Sequence, residues 1–157
     1  MPEVVQVHVD ETLIDGRELI IDQALRALEC SQAVHYAAAG QPVTRQRLTD
    51  LFDLVVTALR ERDLTPVAEA AQDIARQRFH AGFDIGEVQT AFNALEEAMW
   101  RQVVAALPPD RLAEGIGLLG TVLGAGKDAL ARTYVELAAQ RRVPSLDLSA
   151  LFQGQTS

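Results

Sequence analysis

The stretch RFHAGFDIGEVQTAFNALEEAMW, Arg78 to Trp100, opens with titratable side chains and closes as an apolar helix. Val88, Ala91, Phe92, Leu95, Met99 and, just beyond it, Val103 recur every three or four positions, the spacing of one helix face. Asp84 and Glu87 stand three apart immediately before that run. This is the spacing of a capping box, in which the first side chain caps an amide and the second reaches back. A helix therefore starts at Asp84, and Leu107-Pro108-Pro109-Asp110 ends it, because proline cannot continue the hydrogen-bond ladder.

Working outward, Thr65-Pro66 reads as the start of the preceding helix, with Thr65 as cap and Pro66 in the first turn, running to about Gly82. The short link to the next helix predicts antiparallel neighbours. Upstream, TRQRLTDLFDLVVTALRERDL (44–64) sets Leu48, Leu51, Phe52, Val55 and Leu59 on one face. ELIIDQALRALECSQAVHYAAAG (18–40) does the same with Leu19, Ala24, Leu25, Leu28 and Ala33. Downstream, a fifth helix is expected to about Arg142. The chain thus reads as an all-α bundle of about five helices: residues 1–15 an N-terminal segment, 16–142 the bundle, 143–157 a tail.

Composition agrees with this and narrows the function. Hydrophobic residues make up 48% of the 157-residue chain but aromatics only 5%, so the core must be built from Ala, Leu and Val, which suit helix packing. The net charge is -8. Seven acids (Glu3, Asp10, Glu11, Asp15, Glu18, Asp22, Glu29) against Arg17 and Arg26 concentrate it before residue 44. An acidic chain with no basic stripe argues against nucleic acid and anionic membrane as partners, since both are held by Lys and Arg on phosphate. No apolar run reaches the roughly 18 residues needed to span a bilayer. The lone Cys30 and the absence of a signal-peptide pattern predict a cytoplasmic protein.

The candidate chemistry is thin. The carboxylates Glu96 and Glu97 are adjacent and diverge by about 100° on a helix, so they do not converge on a metal. Val5, Gln32 and Gln77 stand where a di-iron bundle would place the Glu of each Glu-x-x-His pair for His8, His35 and His80. The histidines also lack zinc spacing. Arg76, Arg78 and Arg101 read as scattered surface pairs of small energetic value. No nucleophile motif or phosphate loop occurs, so neither an enzyme nor a metal site is expected. Gly117, Gly120 and Gly124 share a helix face with Ala113 and Ala131, and glycine costs about 0.5–1 kcal/mol against alanine in a helix interior. Close packing against another helix of the chain is the first explanation, and a dimer contact, with Met99 and Val103 as further packing residues, the next, ahead of a ligand lying in the groove.

RFHAGFDIGEVQTAFNALEEAMW together with LLGTVLGAGKDALARTYVELA resembles the N-terminal helical domain of RsbR-type and RsbRD-type stressosome regulators, over residues 16 to 140. The resemblance rests on the Gly82-Phe83 turn, Asp84, Glu87-Val88, Phe92, Leu95, Trp100 and Tyr134. It implies a globin-like domain without bound haem, dimeric, acting as sensory input to an output module, with residues 83 to 104 and 112 to 138 building the dimer and the responsive core. After Leu95, where a basic residue is expected, this chain has Glu96-Glu97.

The resulting expectation is a non-enzymatic signal-transduction domain, a homodimer with a protein partner and no cofactor. Phe92, Trp100, Tyr134 and His80 are its candidate ligand-binding or signal-responsive residues. With no output domain before Ser157, the chain is either an excised domain or a stand-alone version, and in the stand-alone case Leu146, Leu148, Leu151 and Phe152 of the tail are the candidate docking residues, as an amphipathic segment fitting a partner groove. The rival from another class is a carrier of haem or another flat apolar ligand. It would be held near Phe92, Trp100 and Tyr134, with His35 or His80 as axial ligand, and would announce itself by a Soret band.

Overall fold

A computed structural model describes residues 9–31 and 33–142. Among them are seven helices and no strand: α1 (Val9–Asp15), α2 (Arg17–Glu29), α3 (Val34–Ala39), α4 (Gln41–Glu61), α5 (Thr65–His80), α6 (Ile85–Ala106) and α7 (Pro109–Arg142). The docking residues Leu146, Leu148, Leu151 and Phe152 lie outside the described residues.

The α6 stripe lies as its spacing requires. Val88, Leu95, Met99 and Val103 are fully buried, and Phe92 and Ala91 nearly so. Each large apolar side chain removed from water in this way contributes about 1.5–3 kcal/mol. Helix α6 is central: α7 runs along one side and α2 along another. The α4 face of Leu48, Leu51, Phe52, Val55 and Leu59 is buried as well.

Three local expectations are corrected. The expected single helix over 18–40 is two helices, because the Ser31 hydroxyl turns back to the Leu28 carbonyl and also accepts the Ala33 amide (3.4 Å). A serine side chain that competes for backbone groups in this way interrupts a helix. Its expected face also shifts: Leu19 is 52% exposed, while Ile20 and Ile21 are buried. A further helix, α1, falls in the N-terminal segment, to which no helix was assigned.

The caps differ too. Leu64, not Thr65, occupies the N-cap of α5, and the Asp63 carboxylate accepts the Thr65 amide (3.0 Å). Asp84 is the N-cap of α6 with extended backbone, yet its side chain makes no capping bond. Glu87 does not reach back, because its carboxylate is engaged by His35. Finally, α5 packs chiefly on α7 and only lightly on α6, although four residues join α5 to α6.

Candidate regulatory site

The α5–α6 turn builds the most unusual cluster of the fold. Gly82 has a φ of +86°, a left-handed conformation that favours glycine. The Gly82 amide donates to the Phe79 carbonyl (3.1 Å) and the Phe83 amide to that of Arg78 (2.9 Å). This is the Schellman pairing, which normally brings two apolar side chains together across the helix end. Here one of the two is Arg78, whose guanidinium lies 5.6 Å from the centre of the Phe83 ring. The local hydrogen bonds thus deliver a charged group into the core, and Arg78 is only 8% exposed.

Phe83 is the hub. His35 lies 4.9 Å from it, tilted, and Tyr36 meets it edge-on at 4.9 Å. The Arg47 guanidinium of α4 lies 5.7 Å from the same ring and 5.9 Å from that of Tyr36. His35 Nδ1 is 2.8 Å from the Glu87 carboxylate. The Tyr134 hydroxyl of α7 donates to the Phe83 carbonyl (3.3 Å). Side chains from α3, α4, α5 and α7 are in this way gathered on one residue of the turn that leads into α6.

Burial raises the pKa of Tyr36, and it pushes Tyr134 up to about 12. Between the ordinary tyrosine value near 10 and about 12, the folded state holds a proton that the unfolded chain releases. The stabilisation is complete below pH 10 and is lost as pH rises toward 12. Tyrosinate absorbance at 295 nm should therefore stay absent at pH 10 while circular dichroism reports intact helix, and should appear together with unfolding above it. Half-ionised tyrosine at pH 10 in folded protein would contradict the burial assigned to both phenols.

The sequence-derived candidates fall in separate places. Tyr134 is in the cluster, and Phe79, 5.7 Å from Tyr134 and 5.8 Å from His80, links those two. Phe92 lies deeper, against α5 and α7 at Val67 and Gly126. Trp100 is 45% exposed on α6. His35, one of the two histidines proposed as an axial ligand, has its Nδ1 on the Glu87 carboxylate and its other ring nitrogen beside Gly82. Among the described residues no group of three His, Cys, Asp or Glu side chains could hold a metal ion. Met99 and Val103 are fully buried, which makes them packing residues of this chain.

The glycine stripe is the largest departure. Beyond its own helix turn, a methyl group added at Gly117, Gly120 or Gly124 would meet no atom of the described residues within 4 Å, so these glycines do not pack closely against another described helix. The close approaches on α7 are at Gly115, where such a methyl would lie 2.5 Å from Leu107, and at Gly126, where it would lie 3.2 Å from both Phe92 and Val67. Glu96 pairs with Lys127 and Glu97 with Arg101, so the acids that replace an expected basic residue have partners of their own. Arg76 and Arg101 are surface pairs as expected, whereas Arg78 is not.

Sequence reasoning also missed Arg47, Tyr36 and the His35–Glu87 pair. The signal for Arg78 was present, since it continues the buried α5 series Val67, Ala71 and Ala75 at helical spacing.

The described residues thus define an all-helical domain with an aromatic and arginine hub at the turn between α5 and α6. Its family model matches residues 17–144, and the chain belongs to that family, the N-terminal domain of the RsbT co-antagonist protein RsbRD, a component of stress signalling. Comparisons with curated proteins and with solved structures found no significant match. No helix among the described residues is long and apolar enough to cross a membrane.

Proposed function

We propose that this domain is a non-catalytic, cytoplasmic sensor that dimerises through the outer face of the α6–α7 pair and passes its state to an RsbT-type partner. The observation that carries the dimer is the exposed glycine stripe. The Glu96–Lys127 pair bridges α6 and α7. Gly124 and Gly120 lie three and seven residues before Lys127, and Trp100 and Val104 lie four and eight after Glu96, so helical spacing sets all of them on the side of that bridge. Trp100 is 45% and Val104 41% exposed.

Small residues flanked by exposed apolar ones allow a second copy to bring its backbone close, which offsets the helix propensity that each glycine gives up. The family's description as an RsbT co-antagonist supports a regulatory output, and the haem-free globin-like packing implied by the resemblance belongs to the same reading. A signal then acts by favouring one of two packings of this face through its differential affinity.

Gly120→Leu tests the proposal. The fold has room for the side chain, so the monomer should keep or gain stability. A close interface should instead lose at least about 2 kcal/mol, which is about thirtyfold in dissociation constant. Sedimentation equilibrium reads the change. Unaltered association in this variant would remove the glycine face from the account.

A further inference from the structure

We propose that Arg47 and Arg78, gathered around Phe83, form a binding site for a small oxyanion, a carboxylate or a phosphate. The chain carries 22 acidic against 14 basic side chains, and several of its exposed arginines pair with carboxylates: Arg17 with Asp53 (2.6 Å), Arg60 with Asp10 (3.2 Å), Arg132 with Asp128 (3.0 Å). The two arginines at Phe83 have none among the described residues. Arg78 is more than nine-tenths buried, its Nε has no hydrogen-bond partner, and the side chains it meets among the described residues are neutral: the Tyr36 phenol and, in a long contact, the Gln77 amide oxygen (3.5 Å). One terminal nitrogen of Arg47 is likewise buried without a partner.

An unpaired buried guanidinium is among the costlier features a fold can carry, and two in one cluster repel each other as well. Burial and the charge of Arg78 both lower the pKa of Arg47, as expected for a cation awaiting a counter-charge. Glu87 does not supply it, since its carboxylate is held by His35. The rings of Phe83 and Tyr36 orient the two planar forks, and the charge of Arg78 reaches the Tyr36 phenol. Guanidinium forks held in this way match the paired oxygens of a carboxylate or phosphate. The cluster is reached from solvent, because the His35 side chain is 42% exposed and Arg47 is only partly buried.

The site is independent of whether the domain dimerises. It is tested with inorganic phosphate and with succinate, each titrated at constant ionic strength against chloride, reading thermal unfolding and calorimetric binding on the full chain. At least one of the two should raise the unfolding temperature saturably, and Arg47→Met should weaken that response at least about tenfold, the loss of one charge-assisted contact. A phosphate response without a succinate response assigns the site to phosphate, and the reverse assigns it to carboxylates. Arg78→Met should abolish the response. If that variant does not fold, phosphorus NMR line broadening of phosphate, or saturation-transfer difference on succinate, compared between the wild-type chain and Arg47→Met, separates the same outcomes. No saturable response to either anion, or an equal response in Arg47→Met, would overturn the assignment.

Discussion

Gly126→Leu is expected to lower the stability of the fold by at least about 3 kcal/mol. The first carbon of the new side chain would already sit 3.2 Å from Phe92 and Val67, tighter than ordinary van der Waals contact. The remaining three carbons have nowhere to go without displacing one of them. Phe92 and Val67 are both buried and belong to different helices, so α5 or α6 must move relative to α7. Overpacking of this kind costs about 1–3 kcal/mol for a few methylenes and more where backbone must shift. For a domain of this size each kcal/mol lowers the melting temperature by about 2–4 °C, so a drop of roughly 6–12 °C is expected in a thermal melt followed by helical circular dichroism. Gly124→Ala, two residues away with open space around it, should instead leave the fold unchanged or raise its stability by about 0.5–1 kcal/mol. Equal effects at the two positions would contradict the packing of α7.

Phe83→Ala should cost about 3–5 kcal/mol, the range for deleting a buried aromatic ring. The loss is compounded by the neighbours. The ring touches His35 and Tyr36 and carries two guanidinium groups, so its removal leaves a void lined by cations that have lost their aromatic partner. Phe83→Leu restores volume without the quadrupole and should recover only part of the stability. Urea unfolding of the three proteins separates the two contributions. Full recovery in the leucine variant would show that the ring acts as filler alone and that the arginines do not depend on it.

Much of the fold was legible where one periodic face did all the work. Every residue read on the α4 and α6 stripes is apolar and buried, while Val56, Ala58, Ala94 and Ala98, which widen those faces, were not read. Legibility failed where a short polar side chain competed with the backbone, as Ser31 does in breaking the expected helix over 18–40. It failed at caps because a side chain that fits a capping box was recruited by a distant residue, as Glu87 was by His35 across 52 positions of sequence. The glycine stripe raised the expectation of a close approach, but a sequence does not say whether the approaching surface belongs to the same chain, and the described residues supply none. The pair Arg47 and Arg78 was the hardest to see. They come from different helices, and only the turn at Gly82 and the Phe83 ring bring them together.

The central claim is that the α6–α7 face is covered by a second copy, and Trp100, the only tryptophan in the chain, stands on that face. Its fluorescence and its quenching by acrylamide, followed by dilution on the same samples whose mass is read by light scattering, test the claim most directly, with Gly120→Leu as the monomer reference. The account predicts that particles of twice the chain mass show blue-shifted, quencher-protected emission, and that emission moves toward that of Gly120→Leu in step with dissociation. A monomer at all concentrations, or a dimer in which Trp100 is as open to quencher as in the variant, would contradict it.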